Sequence, residues 1–264
     1  MSQPEIPAPG FGTSGLEGQE CVEAVDAALE AGYRHIDTAQ MYDNEAAVGE
    51  ALAESDVDRE TVFLATKVHP DSLAPDDVRR TTEASLDRLG VDAVDLLYVH
   101  WPIRAYDAET TLAAFDGLRE SGLTRHVGIS NFTPELLREA RELLDSPILA
   151  HQLECHPLLP QSELADIARE TGHRLVAYSP LAQGELLEHS TVRTVADDLG
   201  VTPAQAVLAW HLDRDIVPIP KARGEHVREN IGAREVALTD EARTCLDGID
   251  ERRRVVDPDG APWN

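Results

Sequence analysis

Lysine is nearly absent from these 264 residues: Lys67 and Lys221 are the two, and the other 21 of the 23 basic residues are arginine. Cysteine is scarce too. Cys21, Cys155 and Cys245 are odd in number and far apart, which excludes a disulfide framework and points to a reducing, cytoplasmic compartment. No run of about 18 apolar residues occurs, so no segment is expected to span a membrane. The start of the chain, with Pro4, Pro7 and Pro9, lacks the basic and apolar regions of a signal peptide. Internal repeats, low-complexity tracts and linkers are also missing. The expectation is a single domain over residues 1–264, long enough to bury a full core.

Negative charge is what the chain has in abundance. Asp and Glu number 49, the formal net charge is −26 and the pI is about 4.6. Such a surface repels nucleic acid and anionic membranes. Disorder would explain acidity of this degree, but 42% hydrophobic residues in regular periodicity require a packed fold. The acids are spread along helical patterns rather than gathered in a tail. Acid-rich, lysine-poor composition resembles that of proteins from salt-in halophiles, in which high salt screens the self-repulsion.

What recurs along the chain is an apolar run of about five residues followed by an amphipathic helical pattern. A short first run around Phe11 precedes a helix over Glu20–Ala31. Then come Arg34–Thr38 with Glu45–Glu54, Val62–Val68 with Pro75–Leu89, and Val94–His100 with Thr110–Ser121. Arg125–Ile129 leads to a helix opening at Thr133-Pro134, a proline just inside a helix start. Ile148–Glu154 precedes Gln161–Thr171. Arg174–Ser179 precedes two patterns, Thr191–Leu199 and Pro203–Asp213. Ile216–Pro220 precedes Glu225–Ile231, and a last helix covers Asp240–Ile249 with Thr239 as its cap. Eight such units predict an α/β fold of the (β/α)8 TIM-barrel type, in which chemistry sits at the C-terminal ends of the strands.

One motif argues otherwise. Gly10-Phe11-Gly12-Thr13-Ser14-Gly15 reads G-x-G-x-x-G, followed by a helical pattern and a strand carrying Asp37, as in a dinucleotide-binding Rossmann unit. The segment before Gly10, however, holds three prolines and a single isoleucine and cannot be a buried parallel strand. A bend whose glycines approach the barrel mouth is the better reading.

Three successive strand ends carry reactive groups: Asp37 with Tyr42 just beyond, then Lys67, then His100. Alone, Asp37 would be a carboxylate capping a turn, Tyr42 a rim residue and His100 a satisfied core histidine. Lys67 is harder to dismiss, since a lysine kept inside an apolar strand of a chain that otherwise uses arginine implies a demand for that cation. A phenol with an ordinary pKa near ~10 needs such a neighbour to give up its proton.

Further stretches accompany these strand ends: Gly32-Tyr33-Arg34-His35-Ile36-Asp37-Thr38-Ala39 with Tyr42, Thr66-Lys67, His100-Trp101-Pro102 and Gly128-Ile129-Ser130-Asn131-Phe132. Beyond them come Gln152-Leu153-Glu154-Cys155-His156-Pro157, Ala177-Tyr178-Ser179-Pro180-Leu181, and Ile219-Pro220-Lys221 with Arg228-Glu229-Asn230. On these motifs the chain resembles, over nearly its whole length, the aldo-keto reductases, in particular their short prokaryotic, diketogluconate-reductase-like branch. The resemblance implies metal-free reduction of aldehydes and ketones, including sugar-derived ones, by NADP(H), with NAD(H) as an alternative. Tyr42 would donate the proton, Lys67 would lower its pKa, Asp37 would hold Lys67, and His100 would orient the carbonyl.

The same resemblance assigns Ser130, Asn131 and Gln152 to the nicotinamide carboxamide and Tyr178 to its ring face. Ser179 and Leu181 follow as further cofactor contacts, Lys221, Arg223 and His226 go to the adenosine phosphates, and Glu229 and Asn230 to the adenine. Many NADPH-dependent members have arginine where this chain has His226, and Ser or Thr where it has Ala222, which weakens the NADP preference. Met41, His69, Trp101 and Phe132 are the expected substrate walls, with Trp263 closing one side. Ser14 and His69 stand where relatives place aromatics, which implies a roomier, more polar pocket. The branch suggests a monomer or loose dimer.

Three other readings compete. A Schiff-base lyase would use Lys67 as nucleophile, but an Asp37 partner would keep that amine protonated. A cofactor-sensing regulatory protein would need a partner surface that the sequence does not show. A metal site at His151, Cys155 and His156 lacks a second ligand pair, and strand alternation sends His151 and Gln152 to opposite faces.

Overall fold

The computed structural model describes residues 4–264. Eight parallel strands follow one another in sequence order: β1 (Phe11–Gly12), β2 (His35–Asp37), β3 (Phe63–Val68), β4 (Val94–Val99), β5 (Thr124–Ser130), β6 (Ile148–Glu154), β7 (Arg174–Tyr178) and β8 (Ile216–Pro218). Each pairs with its predecessor and successor, so the sheet curls on itself. Two backbone hydrogen bonds then join its edges. Gly10 N–H donates to Pro218 O at 2.9 Å, and Gly12 N–H to Pro220 O at 3.2 Å. The mixed α/β architecture is consistent with the (β/α)8 expectation.

The glycines of the G-x-G-x-x-G motif belong to this seam. A Cβ on Gly12 would lie 2.7 Å from Ile219 O, so the glycine permits close approach of the last strand. No strand precedes the motif among the described residues; the two-residue β1 lies inside it and the following helix begins only at Gly18, which is not a Rossmann unit.

Outside the sheet lie α1 (Gly18–Ala31), α2 (Glu45–Glu54), α3 (Pro75–Leu89), α4 (Ala108–Glu120), α5 (Pro134–Leu143), α6 (Ser162–Thr171), α7 (Ser190–Leu199), α8 (Pro203–Asp213), α9 (Glu225–Ile231) and α10 (Asp240–Asp247). Their starts follow local chemistry. Thr239 Oγ1 accepts from Ala242 N–H at 3.1 Å. Thr202 and Gln205 form a reciprocal capping box ahead of Pro203. Ala182–Glu188, which has no helical pattern in sequence, forms a kinked 3₁₀ segment with Gln183 and Gly184 at positive φ.

Strand alternation separates two cores. Phe63, Ala65, Leu96, Tyr98, Leu149, Ala150, Val176 and Val217 cluster with Ile6 and Ile219 inside the curl. Leu64, Val68, Leu97, Val99, Val127, Ile129 and Leu153 pack with the helices. The inward row on β3 therefore runs Phe63, Ala65, Lys67, and that on β4 runs Leu96, Tyr98, His100. The charged groups of the expected site continue the apolar interior rows toward the C-terminal ends.

Candidate active site

Lys67 is completely buried, and its position is set by what it can bond. Its Nζ donates to Asp37 Oδ1 and, at 2.8 Å, to Thr38 O. The second Asp37 oxygen accepts from Gln152 Nε2 at 2.7 Å, across the barrel from β6. Above this pair Lys67 Nζ lies 5.1 Å from the centroid of the Tyr42 ring. The Tyr42 ring meets His100 edge-on, with centroids 5.7 Å apart. The four residues from three strand ends thus form one contiguous group.

Burial works to discharge Lys67, but Asp37 and Tyr42 together hold its pKa above the ordinary value. Burial also raises the Tyr42 phenol, against which the Lys67 charge and a hydrogen bond from it pull downward. Lys67 thus pulls the Tyr42 pKa down in the expected direction, but burial raises it by more, so the net shift is upward. His100 is pushed well below its usual range by burial, the Lys67 charge and His69. It is a neutral imidazole with Nδ1 buried and unpartnered.

A cavity of about 640 Å³ opens over this floor. Asp37, Tyr42, His100, Asn131, Gln152, Tyr178, Ser179, Leu181 and Lys221 line it, as do Ser14, Met41 and Trp101. Lys67, fully buried and held charged by Asp37, is poorly placed to act as a nucleophile. Asn131 Nδ2 donates to His100 O and to Ser130 Oγ, both at 3.0 Å, and its Oδ1 accepts from the Tyr178 hydroxyl at 2.7 Å. Ser130 itself is buried behind Asn131.

The other expected cofactor contacts lie beyond the cavity. Arg223 bonds Gly15 O at 3.3 Å and pairs with Glu20 at 2.5 Å. His226 Nδ1 donates to Glu229 Oε2 at 2.8 Å, which raises the His226 pKa. Asn230 is buried on α9. No carboxylate among the described residues forms an ion pair with Lys221, whose Nζ stands over Gly15.

Two expected substrate walls are elsewhere. Phe132 is buried between Tyr106 and His151, at centroid distances of 5.6 and 6.5 Å, after a backbone turn at Asn131, whose φ is 63°. His69 caps a 3₁₀ turn, its Nδ1 accepting from Asp71 N–H at 3.1 Å. Trp263 backs Trp101 at 5.5 Å rather than facing the cavity. Ile103, Arg104, Gln183, Leu187, Val256, Pro258 and Asp259 line it instead. Ile103 and Arg104 follow His100 closely enough to have been anticipated; the tail and the 3₁₀ segment carry no periodic signal. His151, Cys155 and His156 diverge: His151 faces His173 at 6.2 Å, Cys155 faces Pro160 O and His156 pairs with Glu154. No helix among the described residues is long and apolar enough to cross a membrane.

Known proteins agree with this arrangement. The model of the aldo/keto reductase family matches residues 10–251. An aldo-keto reductase of Mycobacterium sp. (strain JLS) is 39% identical over 261 residues, covering 98% of this chain and 94% of its own. The methylglyoxal reductase DkgB of Yersinia pestis is 35% identical over 261 residues, covering 97% of each. Among solved structures, one assigned provisionally as a 2,5-diketo-D-gluconic acid reductase B superposes with a TM-score of 0.93 at 37% identity, covering 97% of this chain and 92% of that one. An aldo-keto reductase complexed with NADPH superposes with a TM-score of 0.91 at 30% identity, covering 98% and 89%. The chain belongs to the aldo/keto reductase family.

Proposed function

We propose that this single (β/α)8 barrel, spanning residues 1–264, reduces small aldehydes and ketones with NADPH, accepting NADH less well. The observation that carries the proposal is the buried Asp37–Lys67 pair beneath Tyr42 and beside His100, at the closed end of the cavity. The residues present fit a nicotinamide dinucleotide. Asn131 and Gln152 offer amides near the floor, and Tyr178 offers a half-buried ring at the cavity wall. Lys221 is an exposed cation with no acidic partner among the described residues, in a chain crowded with acids. Arg223, His226, Glu229 and Asn230 would hold the adenosine end. NADPH, when bound, supplies the hydride that reaches the carbonyl carbon.

The chain's own contribution is position and one proton. Burial keeps Tyr42 protonated at neutral pH, so the phenol is ready to donate to the carbonyl oxygen. Lys67 stabilises the phenolate left behind, and Asp37 keeps Lys67 charged for that purpose. His100, neutral and with Nδ1 enclosed, would present Nε2 to the cavity, and donates to the carbonyl oxygen in the Nε2–H tautomer. It orients the substrate without competing as the acid. Solvent entering the open cavity returns the proton to Tyr42.

The DkgB relative is named for methylglyoxal and the structural neighbour for a diketogluconic acid. Small dicarbonyls and sugar-derived keto acids are therefore the substrate classes to try. NADPH absorbance is followed with such a panel in molar KCl; turnover by the wild-type protein supports the reading, and failure of NADPH to bind at all would sink it. A cytoplasmic enzyme is part of the proposal, supported by its unpaired cysteines; a monomer or loose dimer is proposed on the resemblance to the branch alone. The halophilic source rests on composition alone. Its test is the melting temperature, expected to rise with KCl as the net charge of −26 is screened.

A further inference from the structure

Glu154 shares its face of β6 with Gln152, two residues earlier, but has no part in the chemistry above. It is wholly buried, and no lysine or arginine among the described residues pairs with it. Its oxygens are filled in another way. Oε1 accepts from Val255 N–H at 2.7 Å and from His156 Nε2 at 2.9 Å; Oε2 accepts from Val256 N–H at 2.9 Å. Toward an ionised Glu154, whose oxygens only accept, His156 presents its proton on Nε2. A buried carboxyl left without these donors would be costly. The C-terminal tail thus has one favourable place to run, directly over the end of β6.

That tail is a wall of the cavity. Val256, Pro258 and Asp259 line it together with Met41, Tyr42 and Trp101. The tail has other ties to the body: Arg253 N–H donates to Leu158 O at 3.0 Å and its guanidinium pairs with Glu185 at 3.0 Å, Gln183 Nε2 donates to Val255 O at 3.4 Å, and Trp263 rests on Trp101.

We infer that Glu154, supported by His156, is a positioning residue that sets the C-terminal wall and thereby the size of carbonyl compound admitted. Its substrate arm rests on the reductase reading. Glu154→Gln replaces one acceptor by an NH₂ that faces an N–H donor, so one tail hydrogen bond is lost. The preference for a bulky aromatic aldehyde over methylglyoxal, measured as the ratio of kcat/KM values, is expected to rise about fivefold, the effect of a single lost hydrogen bond. The Kd for NADPH is expected to stay within about twofold, on the same scale. Amide exchange at Val255 and Val256 is expected to accelerate.

Faster exchange with an unchanged ratio would reduce Glu154 to a structural group and overturn the inference, as would unchanged exchange. Should Glu154→Gln fail to fold, the exposed tail variant Pro258→Gly with Asp259→Ala must shift the same ratio, and an unshifted ratio overturns the inference. If the wild type turns over no carbonyl, the reductase reading fails separately, since exchange at Val255 and Val256 still reports the clamp.

Discussion

The floor of the cavity and its outer arm hold charges in opposite ways. On the floor, Lys67 and Asp37 are sealed from water and each is bonded to more than one partner. Neither can move without leaving a buried charge unmatched. On the arm, Arg223 and His226 sit at the surface and are engaged by Glu20 and Glu229 of the same chain. A phosphate would have to displace those carboxylates. The floor is over-determined by the fold and ready before any ligand arrives; the arm becomes a site only by exchanging partners.

The sharpest way to break this contrast is at the floor. Tyr42→Phe removes the proton while leaving the ring, and kcat is expected to fall roughly 10²–10⁴-fold, the usual worth of a general acid. NADPH binding, followed by fluorescence, is expected to persist. Asp37→Asn strands the Lys67 ammonium. Breaking a buried pair in this way costs on the order of 3–5 kcal/mol, to be read from urea unfolding; a change near zero would mean that water reaches the floor.

His151 sharpens the comparison through pH. Burial, aided by His173, lowers its pKa from 6.5 to about 3. The unfolded chain therefore takes up that proton first as pH falls, and the stability present above 6.5 is lost toward 3. The slope from this residue is about 1.4 kcal/mol per pH unit. In His151→Phe the acid limb of stability is expected to flatten by that amount.

Effects at the arm are smaller. Lys221→Ala should weaken NADPH binding about tenfold, near 1.4 kcal/mol, with reduced salt dependence. Arg223→Ala, whose guanidinium must first leave Glu20, is expected to cost only about threefold. Equal losses at the two positions would show that the Glu20 pair does not compete with the cofactor.

The floor was legible in the sequence because periodicity places it. Asp37, Lys67 and His100 stand at the ends of short apolar runs that alternate with helical patterns, and parallel strands in sequence order bring successive strand ends together. The same alternation separated His151 from Gln152. Where the chain leaves regular structure, that reasoning stopped. Phe132 follows Asn131 into a turn with φ at 63°, which swings it out of the cavity and into the core. His69 reads as a wall by position, yet its ring is spent on capping a short turn. The Gly10–Gly15 motif shows the converse, since its spacing matches a phosphate loop while its glycines serve the closure of the sheet.

The sequence by itself determined the eight-fold strand–helix rhythm, the charged floor at the strand ends and the family, because each depends on local periodicity or on residues close together in the chain. Tertiary structure alone decided which groups line the cavity, which cations are already paired, and that the tail at Val255 and Val256 completes the wall by bonding a carboxylate about a hundred residues earlier. Those outcomes turn on the burial of polar atoms far apart in sequence. Such atoms must find partners in space, and spacing along the chain does not say which.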